Sequence, residues 1–367
     1  MKRQIIFKMS RVTSKNLFDF VLKGVKDEDI TAADNKIEQL YKNEEFRKMM
    51  EKLGEALVKD DTKSNMEFVN SMRGMVVAIM NDILAHPILE KSADNVIKKE
   101  IKVPTDHDGV HDVPVYTYTP KSLEGTDEKR VAYIYAHGGG VVSGDASMYQ
   151  NILCHYAVEC GVVVFNVDYR LAPETRCPNN IKDYYEVVKY VHKNAKALGI
   201  DSSKIVIGGE SGGGYICLGS AVLLAQRNES HLVKLAIPSI AMTDDYHFSD
   251  SGPMTEEEKE NTAVAKKIWQ LIAADFETQK NDPLLFPGKA SDQLLEKFPP
   301  TIIEESEFDM FITETTRLAN RLRRAGRLLE LVIIPGGKHG STLDPTLKHF
   351  KVAMEVKKKM FENYVHN

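Results

Sequence analysis

The 367-residue chain has little of several things that would fix its class at once. Its four cysteines, Cys154, Cys160, Cys177 and Cys217, include no C-x-x-C pair, so the usual thiolate spacing of a zinc site is missing. A chain of this length also has no need of a disulfide framework, and the four are expected as reduced, small core residues of a cytoplasmic protein. No apolar run approaches the roughly 20 residues that span a bilayer, and the first residues lack the apolar core of a secretory signal, so no integral membrane segment is expected. Neither sign of charge dominates: 48 Lys and Arg face 53 Asp and Glu, a net −5 at pH 7. That balance argues against nucleic acid as partner and favours a small, neutral molecule. One segment points elsewhere. MKRQIIFKMSRVTSKNLF has no acidic residue before Asp19, which leaves an organellar address as the alternative to the cytoplasm.

What is present changes in texture near residue 95. Before it, KIEQLYKNEEFRKMMEKLGEALVKD and NMEFVNSMRGMVVAIMNDILAH repeat apolar residues at three- and four-residue steps and predict helices. Beyond it, IKKEIKV and VPVYTYT predict an opening antiparallel pair. VAYIYAH, VVVFNVD, KIVIGG, VKLAIPSI, PTIIEES and ELVIIP then predict strands of a doubly covered, mostly parallel sheet, with helices such as IKDYYEVVKYVHKNAKALG and FITETTRLANRLRRAG between them. Residues 243–298 interrupt this rhythm with a polar helical insertion too long for an ordinary connection. The expected division is a helical lid region over 1–94, core over 95–242, lid insertion over 243–298 and core again over 299–367. No internal repeat is visible.

Gly209-Glu210-Ser211-Gly212-Gly213 is a G-x-S-x-G sequence standing after the strand KIVIGG and before the helical YICLGSAVLLAQ. A serine on so sharp a strand-to-helix turn projects its hydroxyl above the sheet, and flanking glycines remove the Cβ atoms that would collide there. Upstream, His137-Gly138-Gly139-Gly140 closes the strand VAYIYAH and resembles the oxyanion loop of esterases and lipases. Gly138, Gly139 and Gly212 are the expected N–H donors to a developing oxyanion, with His137 holding the loop by hydrogen bonds.

Among eleven histidines, His339 sits in the glycine-rich loop PGGKHGST after the last strand, and it is the expected general base. His86, His107, His111, His155, His192, His231, His247, His349 and His366 are read as surface or structural residues. The carboxylate partner should follow the preceding strand in PPTIIEESEFDMFITE: Asp309 is preferred, with Glu307 and Glu305 as rivals. The methionine-rich stripe of NSMRGMVVAIMNDIL predicts a helix packed on the core, with docking on a lipid surface as the alternative.

Together these segments resemble the hormone-sensitive-lipase-like esterases, the branch that includes arylacetamide deacetylases. The resemblance runs from about Val131 to the end. It also takes in Gly144 and the run Asp168-Tyr169-Arg170-Leu171-Ala172-Pro173-Glu174, which in that family buttresses the active site. Two departures stand out: the family usually has Asp before and Ala after the serine, where this chain has Glu210 and Gly212, and the N-terminal helical region is longer than in many relatives. The resemblance implies a lidded α/β-hydrolase fold with a mostly parallel central sheet, and a serine hydrolase acting on short- to medium-chain carboxylic esters through an acyl-enzyme. Ser211, Asp309 and His339 would be its triad, with no metal or organic cofactor. Aryl amides or lipid-surface esters are alternative substrates for the same residues, and a noncatalytic small-ligand receptor is the alternative of another class. Oligomeric state is not legible.

Overall fold

The computed structural model describes residues 42–57, 61–84, 86–125, 129–245 and 256–366. The basic opening segment and His247 lie outside them.

Among the described residues two helices come first, α1 (Glu44–Leu57) and α2 (Thr62–Leu84), followed by the short α3 (Pro87–Ala93). The expected antiparallel pair is β1 (Val96–Thr105) with β2 (His111–Pro120), in register from Val96 opposite Pro120 to Thr105 opposite His111. Six further strands complete the sheet: β3 (Arg130–Ala136), β4 (Val163–Val167), β5 (Ile200–Glu210), β6 (Leu235–Ser239), β7 (Thr301–Ser306) and β8 (Leu328–Ile334). Their spatial order is β1-β2-β4-β3-β5-β6-β7-β8, parallel from β4 onward.

The longer connecting helices among the described residues are α4 (Gln150–Cys160), α5 (Asn179–Lys193), α6 (Gly212–Gln226), α7 (Glu256–Ile272), α8 (Ile312–Arg324) and α9 (Lys348–Phe361). Residues 150–160 carry no clear helical signal in sequence, because the helix is buried along much of its length and its polar face is narrow.

The alternation of a strand explains the two layers around the sheet. On β3, Tyr133 and Tyr135 point into the layer of Ile152, Phe350 and Phe361 from α4 and α9. Ala132, Ile134 and Ala136 point the other way, towards Ile181 and Tyr184 of α5 and Ile216 of α6. Helix α6 has apolar or small residues on every side and is buried from Gly212 to Ala225, as a helix in the middle of a core must be. The second half of the 243–298 insertion joins a third cluster: Ala290, Leu295 and Phe298 pack against Leu218 and Val222 of α6 and Leu318 of α8.

The chain passes from β3 to β4 on one side, then crosses to β5 on the other. The carboxyl ends of β3 and β5 therefore flank the point where strand order reverses, the crevice in which open α/β sheets bind ligands. His137–Gly140 and Ser211 follow those two ends.

Candidate active site

Ser211 stands between the last residue of β5 and the first of α6 at φ 58°, ψ −118°, a region that costs a non-glycine residue roughly 1–3 kcal/mol and persists only where its surroundings impose it. Those surroundings are tight. A Cβ on Gly209 would lie 2.4 Å from the Ala136 carbonyl oxygen, and one on Gly213 would lie 2.0 Å from the same atom. The end of β3 thus leans on the turn at both glycines. Gly212, where the family resemblance expects Ala, has its own reason: a Cβ there would meet the Val141 and Gly140 nitrogens at 2.7 and 2.8 Å.

His339 and Asp309 reach Ser211 from separate segments. The His339 Nε2 lies 2.9 Å from Ser211 Oγ, and its Nδ1 lies 2.8 Å from Asp309 Oδ2. Asp309 is buried and also accepts the Phe311 N–H at 2.8 Å, while the Phe311 ring stands edge-on to the imidazole. With Asp309 as acceptor, Nδ1 carries the proton and Nε2 is free to accept one. Burial works to lower the His339 pKa, but the charge and hydrogen bond of Asp309 outweigh it and hold the ring above the ordinary histidine value of 6.5.

The rival carboxylates are occupied elsewhere. Glu307 accepts the Gly336 N–H at 2.9 Å and so ties down the loop that carries His339. Glu305 faces α8 from inside β7, and burial together with the Asp309 charge pushes its pKa well above the carboxylate range. Glu314 beside it is raised to about 10 by burial. Burial thus favours the protonated form of both.

His137 is buried, its Nδ1 donates to the Gly138 carbonyl at 2.8 Å, and its ring stacks on Tyr169 at 4.5 Å. Gly138 lies against Ser211 and the Tyr149 hydroxyl, and Gly139 and Gly140 line the cavity above the serine. The Asp168–Glu174 run braces this loop at several points. Tyr169 Oη donates to the His137 carbonyl at 2.7 Å, and Asp168 accepts the Ala146 N–H at 3.0 Å. Glu174 pairs with Arg73 of α2, whose Nε reaches the Val142 carbonyl at 2.9 Å.

One metal-like grouping occurs among the described residues: ligand atoms of His107, His111 and Asp183 lie within 4.8 Å of one another. Arg170 already supplies a cation there, with Nε 2.9 Å from one Asp183 oxygen and Nη2 2.9 Å from the other.

A cavity of about 430 Å³ opens over Ser211. Its apolar wall comes from α1 and α2 (Met50, Met72, Met75, Ile79, Met80) and from Val264 and Ile268 of α7. The methionine stripe of α2 therefore faces the cavity as well as the core. Tyr149 lines the cavity although sequence reasoning does not place it there; its only signal is a tyrosine of ordinary appearance. The four cysteines are free and buried, as expected, and burial pushes the Cys160 and Cys177 thiols up to about 12. No helix among the described residues is long and apolar enough to cross a membrane.

A mostly parallel sheet with a strained serine at its switch point, next to a histidine and a carboxylate from later loops, is the architecture of an α/β-hydrolase. Comparison with known proteins agrees. A family model described as alpha/beta hydrolase fold matches residues 133–343, and the chain belongs to that family. It is 29% identical over 246 residues to the carboxylesterase NlhH of Mycobacterium tuberculosis, covering 64% of this chain and 72% of that protein. It is 28% identical over 242 residues to an ethyl acetate hydrolase of Pseudomonas putida, with 64% and 73% covered. Among solved structures, a bacterial heroin esterase is similar at a TM-score of 0.70 and 28% identity, over 85% of this chain and 97% of that one. A hyperthermophilic esterase from the archaeon Pyrobaculum calidifontis gives 0.65 at 25% identity, over 80% and 91%.

Proposed function

We propose that this protein hydrolyses short- to medium-chain carboxylic esters through an acyl-enzyme on Ser211. The observation that carries this reading is the continuous relay from Asp309 Oδ2 through both nitrogens of His339 to Ser211 Oγ, with spacings of 2.8 and 2.9 Å. The serine oxygen attacks the ester carbonyl as His339 Nε2 takes its proton, and Asp309 supports the imidazolium. Charge gathers on the former carbonyl oxygen, to which the N–H groups of Gly138, Gly139 and Gly212 donate. His339 returns the proton to the departing alcohol; a water then enters, is deprotonated by the same nitrogen, and releases the acid.

The acyl or alcohol group occupies the methionine-walled cavity. At roughly 30 Å³ per water-sized group, a volume of about 430 Å³ suits an ester with a short to medium chain. Among the described residues α1, α2 and α7 serve as the lid over the sheet and its flanking helices, whereas residues 290–298 of the insertion pack with the core. Four buried free thiols fit a reducing compartment, and we assign the protein to the cytoplasm on that ground.

Hydrolysis of a graded series of p-nitrophenyl esters, with matched aryl anilides and emulsified triglyceride alongside, tests substrate class. Ester turnover that survives Ser211→Ala, or a wild-type protein that binds esters without cleaving them or taking a fluorophosphonate label, would refute the assignment. The second outcome would identify a receptor.

A further inference from the structure

Beneath the turn that carries Ser211, on the face of the sheet covered by α4 and α9, three ionisable side chains share one buried space. Lys357 of α9 and Glu210 are each 1% exposed, and Glu304 of β7 is 2% exposed. Lys357 Nζ lies 3.3 Å from Glu304 Oε2 and 3.7 Å from Glu210 Oε1. The Tyr156 ring lies 5.2 Å from the same ammonium, and its hydroxyl donates to Glu210 Oε1 at 3.3 Å. Burial pushes the Glu210 carboxyl up against the pull of Lys357. Burial also opposes the charge of Lys357, but Glu304 and Glu210 outweigh it and hold the ammonium above the ordinary lysine value.

Stability alone gives little reason for such a group. Each desolvated ion costs several kcal/mol, and apolar side chains of the same volume do as well or better. What charges add is direction, and here it falls on particular segments. Glu210 immediately precedes Ser211. Glu304 lies on β7, the strand that delivers Asp309, and Lys357 lies on the helix that follows the His339 loop. A single ammonium therefore links the three stretches of chain from which Ser211, Asp309 and His339 project. Ser211 also holds a backbone conformation that its surroundings must impose.

We propose that Lys357 is a positioning residue that holds, through Glu210 and Glu304, the mutual placement of Ser211 and the Asp309–His339 pair; this rests on Ser211 being the nucleophile. Its contribution then falls on turnover more than on substrate binding, because Lys357 itself does not line the cavity and meets it only through Glu210, the neighbour of Ser211.

Two variants test this. Lys357→Met keeps the apolar stem and removes the ammonium. Lys357→Met combined with Glu304→Gln also removes one of the carboxylates left behind, and serves if the single change prevents folding. For each, kcat and KM for p-nitrophenyl butyrate are measured per active site titrated with fluorophosphonate, beside thermal unfolding. Positioning predicts that kcat per titrated site falls roughly 10- to 100-fold while KM stays within about two-fold, the pattern of a misplaced nucleophile in an intact pocket. A merely structural role predicts fewer titratable sites with wild-type kcat at each. That result would overturn the assignment, as would the loss of every titratable site in both variants. A wild-type enzyme that is active yet unlabelled at Ser211 would remove the nucleophile assignment itself, and the role of Lys357 with it; this is read before either variant is made.

Discussion

Replacing Asp309 with Asn separates the candidate carboxylates most cleanly. Asp309 Oδ2 accepts from His339 Nδ1 at 2.8 Å, and Oδ1 accepts the Phe311 N–H at 2.8 Å. Asparagine can keep the Phe311 contact with its carbonyl oxygen, so the loop should fold. It then turns its NH2 group towards Nδ1, which favours the tautomer protonated on Nε2, and that tautomer cannot take the Ser211 proton. Losing the ion pair alone costs about 4 kcal/mol at an effective dielectric of 20 and a 4 Å separation of charges. Adding the wrong tautomer brings the expected loss to about 10⁴ in kcat, the scale seen when a triad aspartate is amidated. That is about 5.5 kcal/mol at 1.36 per decade.

The pH profile of the same variant gives a second readout. In the wild type Asp309 holds His339 above 6.5 against the effect of burial. Only the neutral ring accepts a proton, so kcat/KM should rise with pH along a limb centred above 6.5. Without Asp309, burial acts alone and the residual limb should move to lower pH. Glu305→Gln replaces a carboxyl whose uncharged form burial favours, and Glu307→Gln leaves an oxygen for the Gly336 N–H; both should keep activity within about ten-fold, far from the loss at Asp309. The assay is p-nitrophenyl butyrate hydrolysis from pH 5 to 9. Activity above a tenth of wild type in Asp309→Asn, with collapse in Glu305→Gln, would transfer the role to Glu305.

The remaining expectations concern the elbow and the cavity. Gly212→Ala would place a Cβ 2.7 Å from the Val141 nitrogen, so this change should lower kcat by about 10-fold or more by displacing the Gly138–Gly140 loop. An unaltered rate would show that the loop moves aside freely. Each added acyl methylene buried in the cavity contributes about 0.8 kcal/mol, so kcat/KM should climb about three- to four-fold per carbon until the cavity is full. Ile79→Trp, which adds bulk to the α2 wall, should move the optimum to shorter chains and leave the acetate ester within about two-fold; an unchanged optimum would place the acyl group elsewhere.

Local signals in the amino-acid sequence determine much of this protein. The glycines around Ser211 and after His137 are short-range steric statements, and β3 and β5 announce themselves as unbroken apolar runs because both of their faces are covered. Their order along the chain places Ser211 and the H-G-G-G loop at strand ends, and His339 at the end of the last strand. The choice among Glu305, Glu307 and Asp309 is different, since all three lie within five residues and only the alternation of β7 and the path of the next loop decide which one meets the imidazole. The cavity-facing side of the α2 methionines and the lack of room at Gly212 depend on partners more than 60 residues away. The Lys357–Glu210–Glu304 cluster goes further: in sequence these are three ordinary charged residues, Lys357 being one of several lysines on α9. Burial made them a group, and burial is a property of the assembled layers and not of any window of the chain.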